Sequence, residues 1–155
     1  MKRLLIVPFF LLIITARLLA ADYYWVGGTG DWAGLGHWAT TSGEGVLYNT
    51  VPAAYDNVHF DANSFIGPNQ VVTITNNGGT ANVVCQNMDG TGSLYNPTLS
   101  GTSNQTLRIY GSLIFIPAMT YSFAGVVYFE ATTTGNTVTS AGKTFLNDIM
   151  FQGGG

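Results

Sequence analysis

The sequence predicts an all-β protein, and within that class a right-handed parallel β-helix. Three observations lead there. Strand-like runs of about three to six residues recur about every 8–12 residues, with Gly, Asn or Ser between them. Outside the N-terminal apolar run, no window of about a dozen residues carries an apolar stripe of helical period. The corner-forming groups IYGS, AG, TTGN and SAG fall where a coil of about 20–25 residues would turn. A β-sandwich of alternating strands and hairpins is the competing all-β architecture.

The first 21 residues stand apart from the domain. Lys2 and Arg3 form a basic start, Leu4 to Ile14 is apolar apart from Pro8, and Ala20 and Ala21 are small. That order is a secretory signal peptide, and the apolar run is shorter than the roughly 20 residues that span a bilayer. Residues 1–21 are therefore read as a signal and 22–155 as the domain, beginning at Ala21 or Asp22 and not inserted in a membrane after cleavage. No Cys follows the run, which argues against a lipoprotein-type anchor.

Next comes YYWVGGTGDWAGLGHW, Tyr23 to Trp38. Indole rings bury large apolar areas and carry one N–H that needs a partner. Glycine lets the backbone turn tightly beneath them. Trp25, Gly27, Gly28, Gly30, Trp32 and Trp38 are expected to form a compact plug that caps the first coil. A solenoid needs such a cap, because an open end exposes core and strand edges. His37 is expected to pack into the plug.

Downstream, Gly43, Gly45 and the Pro52 to Asn57 segment are turns. Asn57 to Asp61 alternates as a short strand, with His59 facing solvent. Val71 to Thr75 is a β-branched run, Asn76 to Gly79 a turn, and Val83 to Met88 a further strand. Asp89 to Asn96 is a loop, and Thr98–Leu99 is extended. Leu107 and Ile109 alternate before the corner Gly111, and Leu113 and Phe115 after it. Tyr121 and Phe123, Val126 to Glu130, Thr137 to Thr139, and Phe145 to Phe151 complete the strands. The sequence stops at Phe151-Gln152-Gly153-Gly154-Gly155 with no polar capping segment, so the domain is expected to be the N-terminal piece of a longer protein.

Composition bounds the partners. Residues 22–155 hold two basic side chains, Arg108 and Lys143, against eight acids, a net charge of −6 with His neutral. Nucleic acid and anionic membrane surfaces find no electrostatic footprint there. Thr, Asn, Ser, Gly and Tyr take the place of charge, as in exported β-proteins. Cys85 is the only cysteine, so it forms no internal disulfide, and it is expected to be a small buried apolar residue.

Four constellations bear on chemistry. Asp56, Asn57, Asp61 and Asn63 could supply oxygens to Ca²⁺, the one cofactor the residues suggest. Their spacing fits neither the EF-hand nor the nonapeptide repeat, and the same residue types cap turns. Turn capping is the preferred reading. His37 and His59 are not at metal-ligand spacing. No G-x-S-x-G elbow or complete P-loop is present, and few basic residues accompany the carboxylates, so no catalytic residue is assigned and no enzyme is expected; a polysaccharide-active enzyme ranks third among the readings. Eight tyrosines could stack on sugars, which keeps glycan binding as the second hypothesis.

The W-x-G-G-x-G-x-W…HW opening is followed by P-x-x-x-D-x-V-x-F-D-A-x-S-F, Pro52 to Phe65. Together with GSLIF and F-Q-G-G-G, they resemble the start of large exported surface proteins of the Bacteroidetes type. The opening is also similar to that of autotransporter-like β-helix adhesins, with His37 where their pattern has Asn. The resemblance covers Tyr23 to Gly155. It implies a secreted or cell-surface β-helical module of structural or adhesive role, with glycans or other surface proteins as partners, and it brings no catalytic residues.

Overall fold

Alternation of apolar and polar residues sets the strands. In the computed structural model, which describes residues 19–75 and 82–154, the chain is all-β apart from one three-residue 3₁₀ turn, Leu35–His37. The expected signal region up to residue 18 and the expected Asn76–Gly79 turn lie outside the described residues. The strands are β1 (Asp22–Trp25), β2 (Gly30–Asp31), β3 (Trp38–Ala39), β4 (Asn57–His59), β5 (Val71–Ile74), β6 (Asn82–Cys85) and β7 (Met88–Asp89). They continue as β8 (Thr98–Gly101), β9 (Thr106–Ile109), β10 (Leu113–Ile114), β11 (Thr120–Phe123), β12 (Val126–Phe129), β13 (Val138–Thr139) and β14 (Ile149–Phe151).

Three sheets share these strands in rotation. One runs β3-β1-β4-β7-β10-β13, the second β2-β5-β8-β11, the third β6-β9-β12-β14. Pairing between these strands is parallel except where β3 lies antiparallel on β1, and an isolated antiparallel bridge joins Ala39 to Leu47. A sandwich needs antiparallel sheets, so the β-sandwich expectation does not fit this pairing.

Register aligns like with like. Tyr23, Val58, Met88, Leu113 and Val138 succeed one another along the first sheet. Val83, Leu107, Val127 and Ile149 do so along the third, with Cys85, Ile109, Phe129 and Phe151 beside them. Buried members of all three sheets join in one apolar core. In the second sheet, Gly101 sits between Ile74 and Phe123 in register. A methyl group there would meet Ile74 O at 2.7 Å and the Phe123 ring at 2.7 Å, so the missing side chain makes room for a fully buried phenyl. The last strands differ: Val138, Ile149 and Phe151 are exposed, Phe151 at 73%.

Two strand expectations need correcting. Val83 to Met88 is not one strand. The buried positions Val83, Cys85 and Met88 break the two-residue period at Gln86–Asn87, where the chain turns from the third sheet to the first. Asn87 holds that corner, donating to Asn57 Oδ1 at 2.7 Å and accepting from Ser112 N at 2.6 Å. The strand expected over Phe145 to Phe151 shortens to Ile149–Phe151. Asn147 accepts from the Asp148 amide and donates to Ala124 O, while Phe145 packs on the Tyr121 ring at 5.0 Å.

Cys85 is fully buried, as expected, and burial pushes its thiol pKa well above the ordinary value. A thiol reagent should label it only after unfolding. The folded pKa is raised, so this contribution to stability is complete below the unfolded value near pH 9 and declines as pH rises above it. Urea midpoints compared at about pH 8 and pH 10.5 should show the fall, and Cys85→Ala should show less of it. Rapid labelling of the folded chain would contradict the burial.

Candidate functional site

Two places gather side chains with chemical capacity: the aromatic end and the outer face of the first sheet. At the aromatic end, the residues expected to form a cap do meet. Trp25, Trp32 and Trp38 are almost completely buried. Trp38 stands edge-on to Trp25 at 4.9 Å and to Trp32 at 4.8 Å. Trp25 Nε1 donates to Gly28 O and Trp38 Nε1 to Trp32 O, both at 2.7 Å. The plug is not separate from the sheets. Trp25 ends β1, Trp38 begins β3, and Trp32 N donates to Thr73 O at 2.9 Å.

The glycines act by shape here. Gly27 and Gly28 adopt φ of 79° and 77°, which side-chain-bearing residues rarely reach. Gly30 leaves the space that the His37 ring occupies; a methyl group there would lie 2.0 Å from His37 Nε2. His37 itself is fixed on two sides. Its ring lies flat on Trp25 at 4.6 Å, and Nδ1 is 2.7 Å from Val26 O. The packed reading of His37 therefore holds.

The four oxygen-bearing residues weighed for Ca²⁺ fall into separate hydrogen-bond sets. Asp56 is buried, and its Oδ1 and Oδ2 accept from Ala21 N at 3.0 Å and Ala53 N at 2.9 Å. Asp61 Oδ1 accepts from Asn63 N at 2.9 Å, and Asn63 Nδ2 donates to Ser42 Oγ. Asn57 instead faces outward in the first sheet, donating to Asp22 Oδ1 at 3.0 Å. Among the described residues, no group of three or more His, Cys, Asp and Glu is placed to hold a metal ion.

The outer face of the first sheet was not legible from spacing. Asp22 and Tyr24 project from β1, and Asn57 and His59 from β4. Asp89 and Ile114 follow on β7 and β10. His59 Nε2 lies 2.9 Å from Asp22 Oδ1. The hydrogen bond from His59, then that from Asn57, lowers the Asp22 pKa from its ordinary value. The Tyr24 ring lies nearly flat against the His59 imidazole, 4.7 Å between centroids. A shallow groove of about 350 Å³ runs over Asn57, His59, Asn87, Asp89 and Ser112. So His59 is outward, as expected, but paired on two sides rather than free. The available signal was parity: Asp22-x-Tyr24 and Asn57-x-His59 share it, but aligning them requires knowing that β1 pairs with β4.

Both basic residues of the domain are engaged. Arg108 Nη1 donates to Glu130 Oε1 at 2.7 Å, and its guanidinium carbon lies 4.2 Å from the Tyr128 ring centre. Lys143 Nζ donates to Pro117 O at 2.8 Å. No protein-family model matches the chain, and neither does a curated protein or a solved structure.

The cap geometry sets an expectation. Truncating a large buried aromatic costs about 3–5 kcal/mol, a large part of the roughly 5–15 kcal/mol that holds a domain folded. Trp32→Ala should lower the melting temperature steeply or abolish folding, and Gly30→Ala should lower it by displacing His37. A Trp32→Ala chain that melts unchanged would remove the structural role of the cap.

Proposed function

We propose that the chain is a right-handed parallel β-helix serving as a non-catalytic structural or adhesive module of an exported, surface-located or secreted protein. The observation that carries this reading is the rotation of β4 to β12 through three parallel, in-register sheets. A chain that returns to each sheet after visiting the other two winds as a coil, and parallel crossovers are right-handed in about 98% of cases. Outward positions 25 residues apart still touch: Asn87 accepts from the Ser112 amide, and Ser112 Oγ from the Thr137 amide. The aromatic cap covers one end, as a coil of this kind requires.

The exposed apolar residues Val138, Ile149 and Phe151 favour further β-structure stacked on the last strands, and so a module within a longer surface protein. The ion pair of Arg108 with Glu130 and the hydrogen-bond contact of His59 with Asp22 tie outward polar groups to one another. That suits a durable surface better than a reaction centre. Proteolysis of intact host cells tests the location. The domain should be cleaved from the surface or found in the medium; a cytoplasmic chain that is digested only after lysis would overturn the reading.

One observation favours glycan binding as a second reading. The groove over Asn57, Asn87, Asp89 and Ser112 places amides, a carboxylate and a hydroxyl beside the Tyr24–His59 stack. Neutral sugars are held by that combination of hydrogen-bonding groups and an aromatic neighbour. On a glycan array, binding lost in Tyr24→Ala and His59→Ala at unchanged melting temperature would support it. An array with no bound glycan would leave the structural reading alone.

A further inference from the structure

Asp56 is an unusual residue to find at this place in the fold. Only 3% of it is exposed, yet it is a carboxylate whose side-chain partners among the described residues are two backbone amides, those of Ala21 and Ala53. A buried charge is costly unless it is paired. Two neighbouring ionisable groups, Asp22 of β1 and Tyr48, do not pair it. The Asp22 carboxylate is itself an acid and is held by His59 and Asn57. Tyr48 is a neutral phenol that donates to Asp22 O, its pKa raised by burial first and by neighbouring groups including Asp56 and Asp22.

The donor to Asp56 Oδ1 is the backbone nitrogen of Ala21, at 3.0 Å and partly buried. This nitrogen lies at the junction read as the end of the signal peptide. We infer that processing cuts between Ala20 and Ala21, and that the α-ammonium so created is the missing counter-ion of Asp56. The inference rests on the export reading above, and it selects one of the two cut sites the sequence allows.

The chemistry balances simply. A host signal peptidase hydrolyses the Ala20–Ala21 amide with one water, leaving a carboxylate on Ala20 and an amine on Ala21 that is protonated near neutral pH. The nitrogen keeps the position it already holds, since Ala21 O accepts from Asn57 N at 2.8 Å and anchors the residue to β4. What changes is charge. A neutral amide donor becomes a cation 3.0 Å from a buried carboxylate, and the hydrogen bond becomes charge-assisted. Cutting one residue later would discard this nitrogen, leaving Asp56 Oδ1 without that donor. Folding and processing are thereby linked: the cleaved chain is more stable than its precursor.

N-terminal sequencing of the exported chain should read Ala21. Its α-amine should react with an acylating reagent at pH 8 about fivefold more slowly than an ordinary α-amine, because an opposite charge raises its pKa by about one unit. Acetylating that amine should lower the melting temperature by on the order of 3 °C, and the same acetylation in Asp56→Asn should change it far less. Should Asp56→Asn fail to fold, the amine reactivity and the acetylation shift of the natural chain still decide. An N-terminus at Asp22, or an Ala21 amine of ordinary reactivity whose acetylation changes nothing, would overturn the ion pair and leave export standing. A chain that keeps Met1 and is found in the cytoplasm would remove the export reading itself, and an exported chain that keeps Met1 would overturn the cut.

Discussion

In-register stacking of apolar side chains along parallel strands is the constraint on which the rest of this structure depends. The strands are two to four residues long, too short for any one of them to persist alone. Each survives because its inward residues lie between those of the strands before and after. Leu113 sits between Met88 and Val138, and Leu107 between Val83 and Val127. Such an arrangement is stable in its middle and exposed at its ends. At one end the problem is met by three indoles and an antiparallel strand, β3, which closes the first sheet. Among the last strands, Phe151 lies over Phe129 at 5.1 Å.

The aromatic end shows how one local stretch can do this. Trp25, Trp32 and Trp38 need glycines between them for two reasons that act together. Gly27 and Gly28 turn the chain at positive φ, and Gly30 vacates the space into which His37 fits. His37 then lies on Trp25, and both indole N–H groups that bond within the cap find carbonyls inside the same stretch. Two of the three buried indole N–H groups are thus satisfied by the backbone of this same stretch.

What could be read in the sequence divides along the same line. The tryptophan cluster was legible because its parts lie close together in the chain. Most strands were legible because Leu107–Ile109 or Tyr121–Phe123 alternate with a period of two. The corner at Gln86–Asn87 was not, because the apolar character of Val83, Cys85 and Met88 runs through it unbroken by Gly or Pro. The groups around His59 were hidden for a different reason. Asp22, Tyr24 and Asn87 come to His59 and Asn57 only through strand register, and no local pattern encodes the register between β1, β4 and β7. The oxygens of Asp56 and Asp61 looked like ligands in sequence because residues that cap turns and residues that bind cations are the same types.

The scarcity of charge follows from the stacking as well. In a parallel sheet, outward residues at matching positions stand about 4.8 Å apart. Two like charges at that distance repel by roughly 1 kcal/mol even in water and by more near a protein surface, and a charged position repeated from strand to strand would repeat the cost. The outward rows avoid it. Asp22 is followed by Asn57, and His59 lies between Tyr24 and Asp89. Arg108 lies between Val84 and Tyr128, and takes its anion from Glu130 further along β12's end. Amides and hydroxyls fill the remaining places because they can donate as well as accept: the Asn87 side chain does both, and Ser112 Oγ accepts from the Thr137 amide. A sequence with 8% charged residues is therefore not merely tolerated by this architecture. The same stacking that holds the apolar interior together selects, on the outside, for neutral side chains that bond to their neighbours.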